Sequence, residues 1–274
     1  MEFQDKFICF IDILGFKSLV HTAETGGDIK LPEIAEILKC LGSQKDVDNI
    51  KKHGPSTCPD STCIEKDISF NVTQISDCAI ISSEISPLGA INIISHCWGA
   101  VISLLMKGIM CRGYITKGSI YHTNTQVIGS GYAKAYSKES EVSAFKREAN
   151  ERGAPYVEVD SEVCEYIEST NDKCVKEMFS RYIKKDGDTT VLFPFKRLGH
   201  SFILAGYGVD FNPEKELESN NNVRLLIKRV KKELVKYIDN TNPCAVLKSQ
   251  HYIAALDAQL EACNATDDVI RSWS

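Results

Sequence analysis

The chain has 274 residues, enough for one large domain with an appendage or for two small ones, and its 43% hydrophobic and 25% charged residues are those of an ordinary globular protein. A net charge of -5, with basic residues spread along the chain apart from a cluster between Lys228 and Lys236, excludes the electrostatic footprint of a protein that wraps a nucleic-acid backbone. Eleven scattered cysteines, an odd number, argue against a disulfide framework and for reduced thiols.

The N-terminus carries Glu2, Asp5 and Lys6 where a signal peptide would be apolar. The run "FICFIDILGF", Phe7 to Phe16, then predicts a buried strand with one carboxylate, Asp12, set near its end. Gly15 opens a short helical segment in which Phe16, Leu19 and Val20 share a face, and Gly26 and Gly27 end it. Pro32 starts a second helix carrying Ile34, Ile37, Leu38 and Leu41. From Gly42 to Asp67 the composition turns polar and rich in Pro and Cys, which predicts a loop or insertion. Within it Cys58 and Cys63 could join His53 or Cys40 on a zinc ion or be free loop thiols.

"ISFNVTQISDCAIISSE" predicts a hairpin with Asp77 at its turn or just past it. The stripe Ile91, Ile94, Trp98, Ile102, Leu105 and Ile109 has the helical period and should pack on a sheet; Asn92, His96 and Lys107 make the same window a poor membrane span. "MCRGYITKGSIYHTNTQVIGSG" gives two strand-like runs around the polar turn His122 to Thr125, and a helix is expected from Gly131 to its stop at Gly153. "APYVEVD" follows as a strand with a short helix behind it, and Asp186-Gly187 supplies tight-turn chemistry for a further hairpin. The tail from Phe211 is helical, with Val223, Leu226, Ile227, Val230, Leu234 and Ile238 on one face. This alternation predicts an α/β (α+β) fold, a mixed sheet flanked by helices and related to the ferredoxin-like arrangement. Residues 1–205 form its body, 42–67 an insertion, and 206–274 a helical C-terminal extension.

Asp12 and Asp77 both sit among residues that should be buried, where an ionised carboxylate is costly unless something positive compensates it. Each alone can be a helix cap or a turn former. If their strands are neighbours the two meet, and two hard oxygen ligands are a typical protein share of a Mg²⁺ site. The Gly15 turn adds backbone N–H groups at a helix start, where phosphate oxygens bind.

"FIDILGF", "ISDCAIIS" and "CRGYITKGSIYHTNTQVIGSGYAKAYSKESE" together resemble the class III nucleotidyl (adenylate and guanylate) cyclases over roughly Lys6 to Leu204. The resemblance implies a homodimer with composite active sites and a nucleoside triphosphate substrate. It implies two Mg²⁺ or Mn²⁺ ions held by Asp12, Asp77 and the Ile13 carbonyl, with the phosphates on the N–H groups of Leu14, Gly15 and Phe16. The family's purine-reading lysine falls here on Thr73, its partner aspartate on Gln126, its transition-state asparagine on Ala133 and the companion arginine on Ser137. These departures leave two readings open, a silent cyclase-like module that binds a nucleotide or a protein, or a branch that reads another base.

The pattern is also similar to the pyrimidine cyclases of bacterial Pycsar antiphage systems. That likeness implies conversion of UTP to cyclic UMP, or secondly of CTP to cyclic CMP, as a messenger for a separate effector. A purine cyclase acting on ATP or GTP stays open beside it. Under this resemblance Arg112 reads the base, since a guanidinium can donate to a pyrimidine carbonyl, while Thr73, Phe70 and Gln126 shape the pocket. Lys134 and Lys138 replace the missing arginine near the transition state or the leaving pyrophosphate. Arg112 has a plainer reading as a strand-end arginine paired to a carboxylate, and the two lysines as a solvated helix face. The chain is expected to be cytoplasmic, with neither nucleic-acid binding nor membrane insertion.

Overall fold

The computed structural model describes residues 2–54, 61, 68–149, 151, 153–195 and 212–272. Strand β1 (Gln4–Ile13) is central because its side chains are buried on both faces, which is why the sequence there is nearly continuous in apolar residues. Phe7, Cys9, Ile11 and Ile13 point into the main core, while Ile8 and Phe10 point the other way, into a smaller cluster with Ile80, Ile120 and Ala135. By the two-residue period Asp12 follows Ile8 and Phe10 on that second face.

The sheet has the order β2-β3-β1-β4-β6-β8-β7, with β2 (Phe70–Ile75), β3 (Cys78–Glu84), β4 (Cys111–His122), β6 (Val157–Val159), β7 (Ile183–Asp186) and β8 (Thr189–Leu192); β5 (Val127–Ile128) pairs with β4. Among the described residues only the β4/β6 contact is parallel, so the sheet is mixed, as expected. Its main face carries α4 (Pro87–Leu105); of the predicted stripe Ile91, Ile94 and Leu105 are buried, Trp98 and Ile102 are partly buried, and Ile109, also buried, lies past the helix end. By length and composition α4 could cross a membrane, but 67% of its apolar window is buried inside the fold, so its hydrophobicity is that of a core helix. Helices α6 (Ser161–Ser169) and α7 (Lys173–Tyr182) extend this layer, and α5 (Ser130–Glu139) covers part of the opposite face.

Helices α1 (Phe16–Glu24) and α2 (Leu31–Leu38) fall where expected. The segment read as a loop from Gly42 contains a helix, α3 (Gln44–His53): Ser43 and Asp46 close a capping box and Val47 is buried, which holds a polar helix in place. Conversely the helix expected to reach Gly153 ends at Glu139. Beyond it the chain turns back so that the Ala154 N–H bonds the Val142 carbonyl, burying Val142, Ala144 and Ala154 in the main core. Burial outweighs helix propensity there.

The tail forms α8 (Pro213–Lys236) and α9 (Pro243–Ser272). Ile227, Val230, Leu234, Tyr252 and Leu256 join the same core as the sheet, and α9 is fastened by the Tyr252 hydroxyl donating to the Pro155 carbonyl at 2.5 Å and by a buried His251–Glu151 pair at 2.6 Å. The expected 205/206 boundary, Cys58 and Cys63 lie outside the described residues.

Candidate active site

The antiparallel register aligns Asp12 with Cys78 on β3 and with Arg112 on β4, so these three side chains share one face at one end of the sheet. Asp77 immediately precedes Cys78 in the two-residue turn joining β2 to β3. Ser76 takes the first turn position with a left-handed φ of 55°, and the Asp77 carbonyl accepts the Ile13 N–H at 3.0 Å, which ties the turn to the end of β1. The two aspartates therefore converge from neighbouring strands, as the sequence reading required.

The chain leaves β1 through Leu14, whose N–H donates to the Met110 carbonyl at 2.9 Å, and then Gly15, the N-cap of α1, with φ 77°. No atom would crowd a Cβ at Gly15, so glycine is called for there by the left-handed backbone alone. No side chain caps α1 and no acidic residue stands in its first turn, which leaves its positive end open to an anion. Of the three N–H groups expected to hold phosphate, that of Leu14 is already engaged; those of Gly15 and Phe16 have no partner among the described residues.

Electrostatically the end of β1 is negative. Burial, then Asp77, then Glu139 push the Asp12 carboxyl up to about 6, with Arg112 offsetting part of the rise. The Cys78 thiol, pushed up to about 11 by burial and next by Asp12 and Asp77, senses the same field. A divalent cation between Asp12 and Asp77 would relieve this repulsion, and two hard carboxylates with the nearby Ile13 carbonyl fit Mg²⁺ or Mn²⁺. Among the described residues no group of three or more His, Cys, Asp or Glu side chains could hold a metal, so any ion here depends on this pair and on ligands from backbone or substrate.

The other expected site residues are placed differently. Arg112 donates through Nε to Glu139 and at 3.4 Å to the Gly153 carbonyl; the pair is largely buried, at 15% and 8% side-chain exposure, so its guanidinium is committed to the fold and is not turned to a base. Phe70 lies on the opposite face, in the main core at 1% exposure and edge-on to His96, because a residue three positions from Thr73 in a strand points the other way. Thr73 is on the Asp12 face, but its hydroxyl donates to the Thr123 carbonyl at 3.0 Å and accepts from His122 Nε2 at 3.0 Å. Gln126 is exposed in the β4–β5 turn. Lys134 bonds Asp160 at 2.7 Å and Glu162 at 3.1 Å, and Lys138 bonds Glu141 at 2.6 Å, so neither is directed at the two aspartates.

Sequence reasoning missed two features. Glu139, buried in the middle of "SKESE", is the partner of Arg112 and contributes to the field at Asp12. His122 completes a buried chain: since the Thr73 hydroxyl is spent on Thr123, His122 donates from Nε2 and accepts the Ser82 hydroxyl on Nδ1 at 2.7 Å. This clasp folds the β4–β5 turn over β3 and β2, next to where a base pocket was expected.

No family model matches the chain, and no curated protein does. Among solved structures it is similar to a double mutant of the guanylyl cyclase domain of the RhoGC fusion protein from the aquatic fungus Blastocladiella emersonii, at 14% identity over 70% of this chain and 96% of that one, TM-score 0.39. It is similar also to the catalytic core of a rhodopsin-guanylyl cyclase with converted specificity in complex with ATPalphaS, at 12% identity over the same shares and the same TM-score. A TM-score of 0.39 lends no weight to either likeness, and the case for a function rests on the residues themselves.

Proposed function

We propose that the chain is a metal-dependent nucleotidyl cyclase, acting on UTP and secondly on CTP. The observation that carries the catalytic reading is the convergence of Asp12 and Asp77 beside the open N-terminus of α1, paired carboxylates next to unbonded backbone N–H groups. The ribose 3′-hydroxyl attacks the α-phosphorus in line, the bond to the bridging oxygen breaks, pyrophosphate leaves, and the hydroxyl proton passes to solvent. Asp12, Asp77 and the Ile13 carbonyl would hold the cations, and the N–H groups of Gly15 and Phe16 would orient the terminal phosphates. Bound divalent ions would supply neutralisation of the triphosphate charge and a lower pKa for the attacking hydroxyl. Catalysis is then mainly positioning and electrostatics.

Homodimerisation is supported by bare apolar side chains on and around the Asp12 face: Ile75 at 54% exposure, Ile128 at 54% and Tyr136 at 59%, the last stacked edge-on against Phe10. With Arg112 and Thr73 engaged within the chain, base recognition falls to the second copy. The pyrimidine preference and the role of the product as a messenger to a separate antiphage effector rest on the motif resemblance. The engagement of Arg112 and Thr73 within the chain also favours a second reading, a silent cyclase-like module.

Incubating the purified protein with each of the four ribonucleoside triphosphates and Mn²⁺, and separating products chromatographically, tests both. Cyclic UMP or cyclic CMP lost in Asp12→Ala supports the proposal. Cyclic AMP or cyclic GMP alone would refute the pyrimidine assignment. No product from any triphosphate would leave the silent module.

A further inference from the structure

A cavity of about 210 Å³ lies between Gly15 and the first turn of α1, the link from α4 to β4, and the start of α9. At ~30 Å³ per water this is room for roughly seven waters, enough for a phosphate group with part of its hydration. Its roof is held close. Gly108 has φ 77°, and a Cβ there would run into the Glu233 carbonyl, so the last turn of α8 sits directly on the α4–β4 link. The polar side chains at the turn are already used, since Asn242 accepts from the N–H groups of Cys244 and Ala245 and Asp239 accepts from Thr241.

Lys248 is different. It lines this cavity from the second turn of α9, it is partly buried, and it has no hydrogen bond or ion pair among the described residues. Burial first, and then the positive charge of Arg112, hold its ammonium below the usual lysine range, while Cys244, Glu139 and Glu151 act the other way. Its electrostatic neighbours Arg112 and Glu139 are the groups that also act on Asp12, so the lysine belongs to the same end of the sheet. The anchors His251 and Tyr252, three and four residues on, fix the helix that carries it. An unpaired, partly buried cation on the wall of a cavity that also takes in an uncapped helix start leaves an anion as the missing partner.

We propose that Lys248 is a ligand for the terminal phosphates of the nucleotide, so that the C-terminal helices complete the polyphosphate site. The proposal rests on the nucleotide reading above, and its test separates the two. The probe is inorganic tripolyphosphate with Mn²⁺, followed by calorimetry on the full chain, beside the cyclisation assay. Wild type should bind it, Lys248→Gln should bind it about tenfold or more weakly, and Lys248→Arg should recover most of the loss. In turnover, Lys248→Gln should raise KM for the triphosphate with kcat less affected. Thermal unfolding of Lys248→Gln without ligand should match or exceed that of wild type, because a merely structural lysine would lower it. Binding lost in Lys248→Gln with no cyclic product from any triphosphate would keep the lysine's role and overturn the cyclase. Cyclisation with tripolyphosphate affinity and KM unchanged in Lys248→Gln would overturn the lysine's role and keep the cyclase. No binding to wild type would also overturn the lysine's role.

Discussion

Asp12→Asn in metal-free buffer should make the protein more stable, an unusual outcome for a change at a candidate active site. Burial and the facing Asp77 and Glu139 hold the carboxyl at about 6 against an ordinary 3.8. At about 1.4 kcal/mol per pKa unit that gap corresponds to ~3 kcal/mol of unfavourable ionisation in the folded state, and because the group keeps contact with solvent, screening reduces it to about 1–2 kcal/mol. The folded state binds this proton more tightly than the unfolded one, so the penalty is absent below the unfolded value, grows as pH rises, and is complete above about 6. Asparagine keeps the shape and removes the charge. Urea unfolding with a chelator present should therefore place the variant about 1–2 kcal/mol above wild type at about pH 8, the gap closing towards about pH 4. Saturating Mn²⁺ should reverse the order, because only wild type gains by binding it; at a hundred times the Kd the gain is about 2.7 kcal/mol. A variant less stable than wild type at the higher pH without metal, or a gap indifferent to pH, would refute the account of Asp12.

Gly15→Ala meets no steric obstacle but must hold a left-handed φ of 77°, so it should cost about 1 kcal/mol in urea unfolding while lowering turnover more than stability, as the helix start shifts. Glu139→Gln strands the Arg112 guanidinium in a largely buried position and should cost about 3 kcal/mol; a loss under about 0.5 kcal/mol would mean the pair is effectively solvated. His122 is held at about 4 by burial and then by Lys6. Its folded value lies below its unfolded one, so the stability it contributes is complete above about 6.5 and is lost as pH falls towards about 4. Wild type should accordingly lose up to about 3 kcal/mol relative to His122→Gln between those limits, measured by denaturant midpoints at each pH, and parallel curves would contradict the buried neutral imidazole.

What the sequence made legible follows from how local each signal is. The burial of β1 on both faces writes itself as an apolar run, and the α4 stripe as a 3.6-residue period, so both elements could be read directly, whereas the nearness of Asp12 to Asp77 hung on the pairing of β1 with β3, which the sequence left conditional. Helix α3 was hidden because its own residues, Gln44–His53, are almost all polar, with Val47 and Ile50 too few to write a helical stripe. The premature end of α5 depends on Val142 meeting Ala154, a contact no local window contains. Arg112 found Glu139 27 residues away, and Lys248 reached the site from the far end of the chain. The placement of Phe70 was available all along, since strand residues three apart face opposite ways and Phe70 could never have shared a pocket with Thr73.

The charges at this end of the sheet make sense only as two halves. Asp12, Asp77 and Glu139 gather around β1 with Arg112 as the one cation paired among them, which favours a cation at the aspartates. On the other side of the Gly15 turn, Lys248 and the uncapped start of α1 favour an anion. A free metal ion would satisfy the first half and leave the second desolvated; a free phosphate would do the reverse and bring negative charge towards Asp12. A metal–polyphosphate complex satisfies both together, each half screening the other's repulsion. Under the two proposals that coupling would let a carboxylate with a raised pKa and a lysine with a lowered one persist on either side of the Gly15 turn, each costly alone and each stabilised by the same ligand.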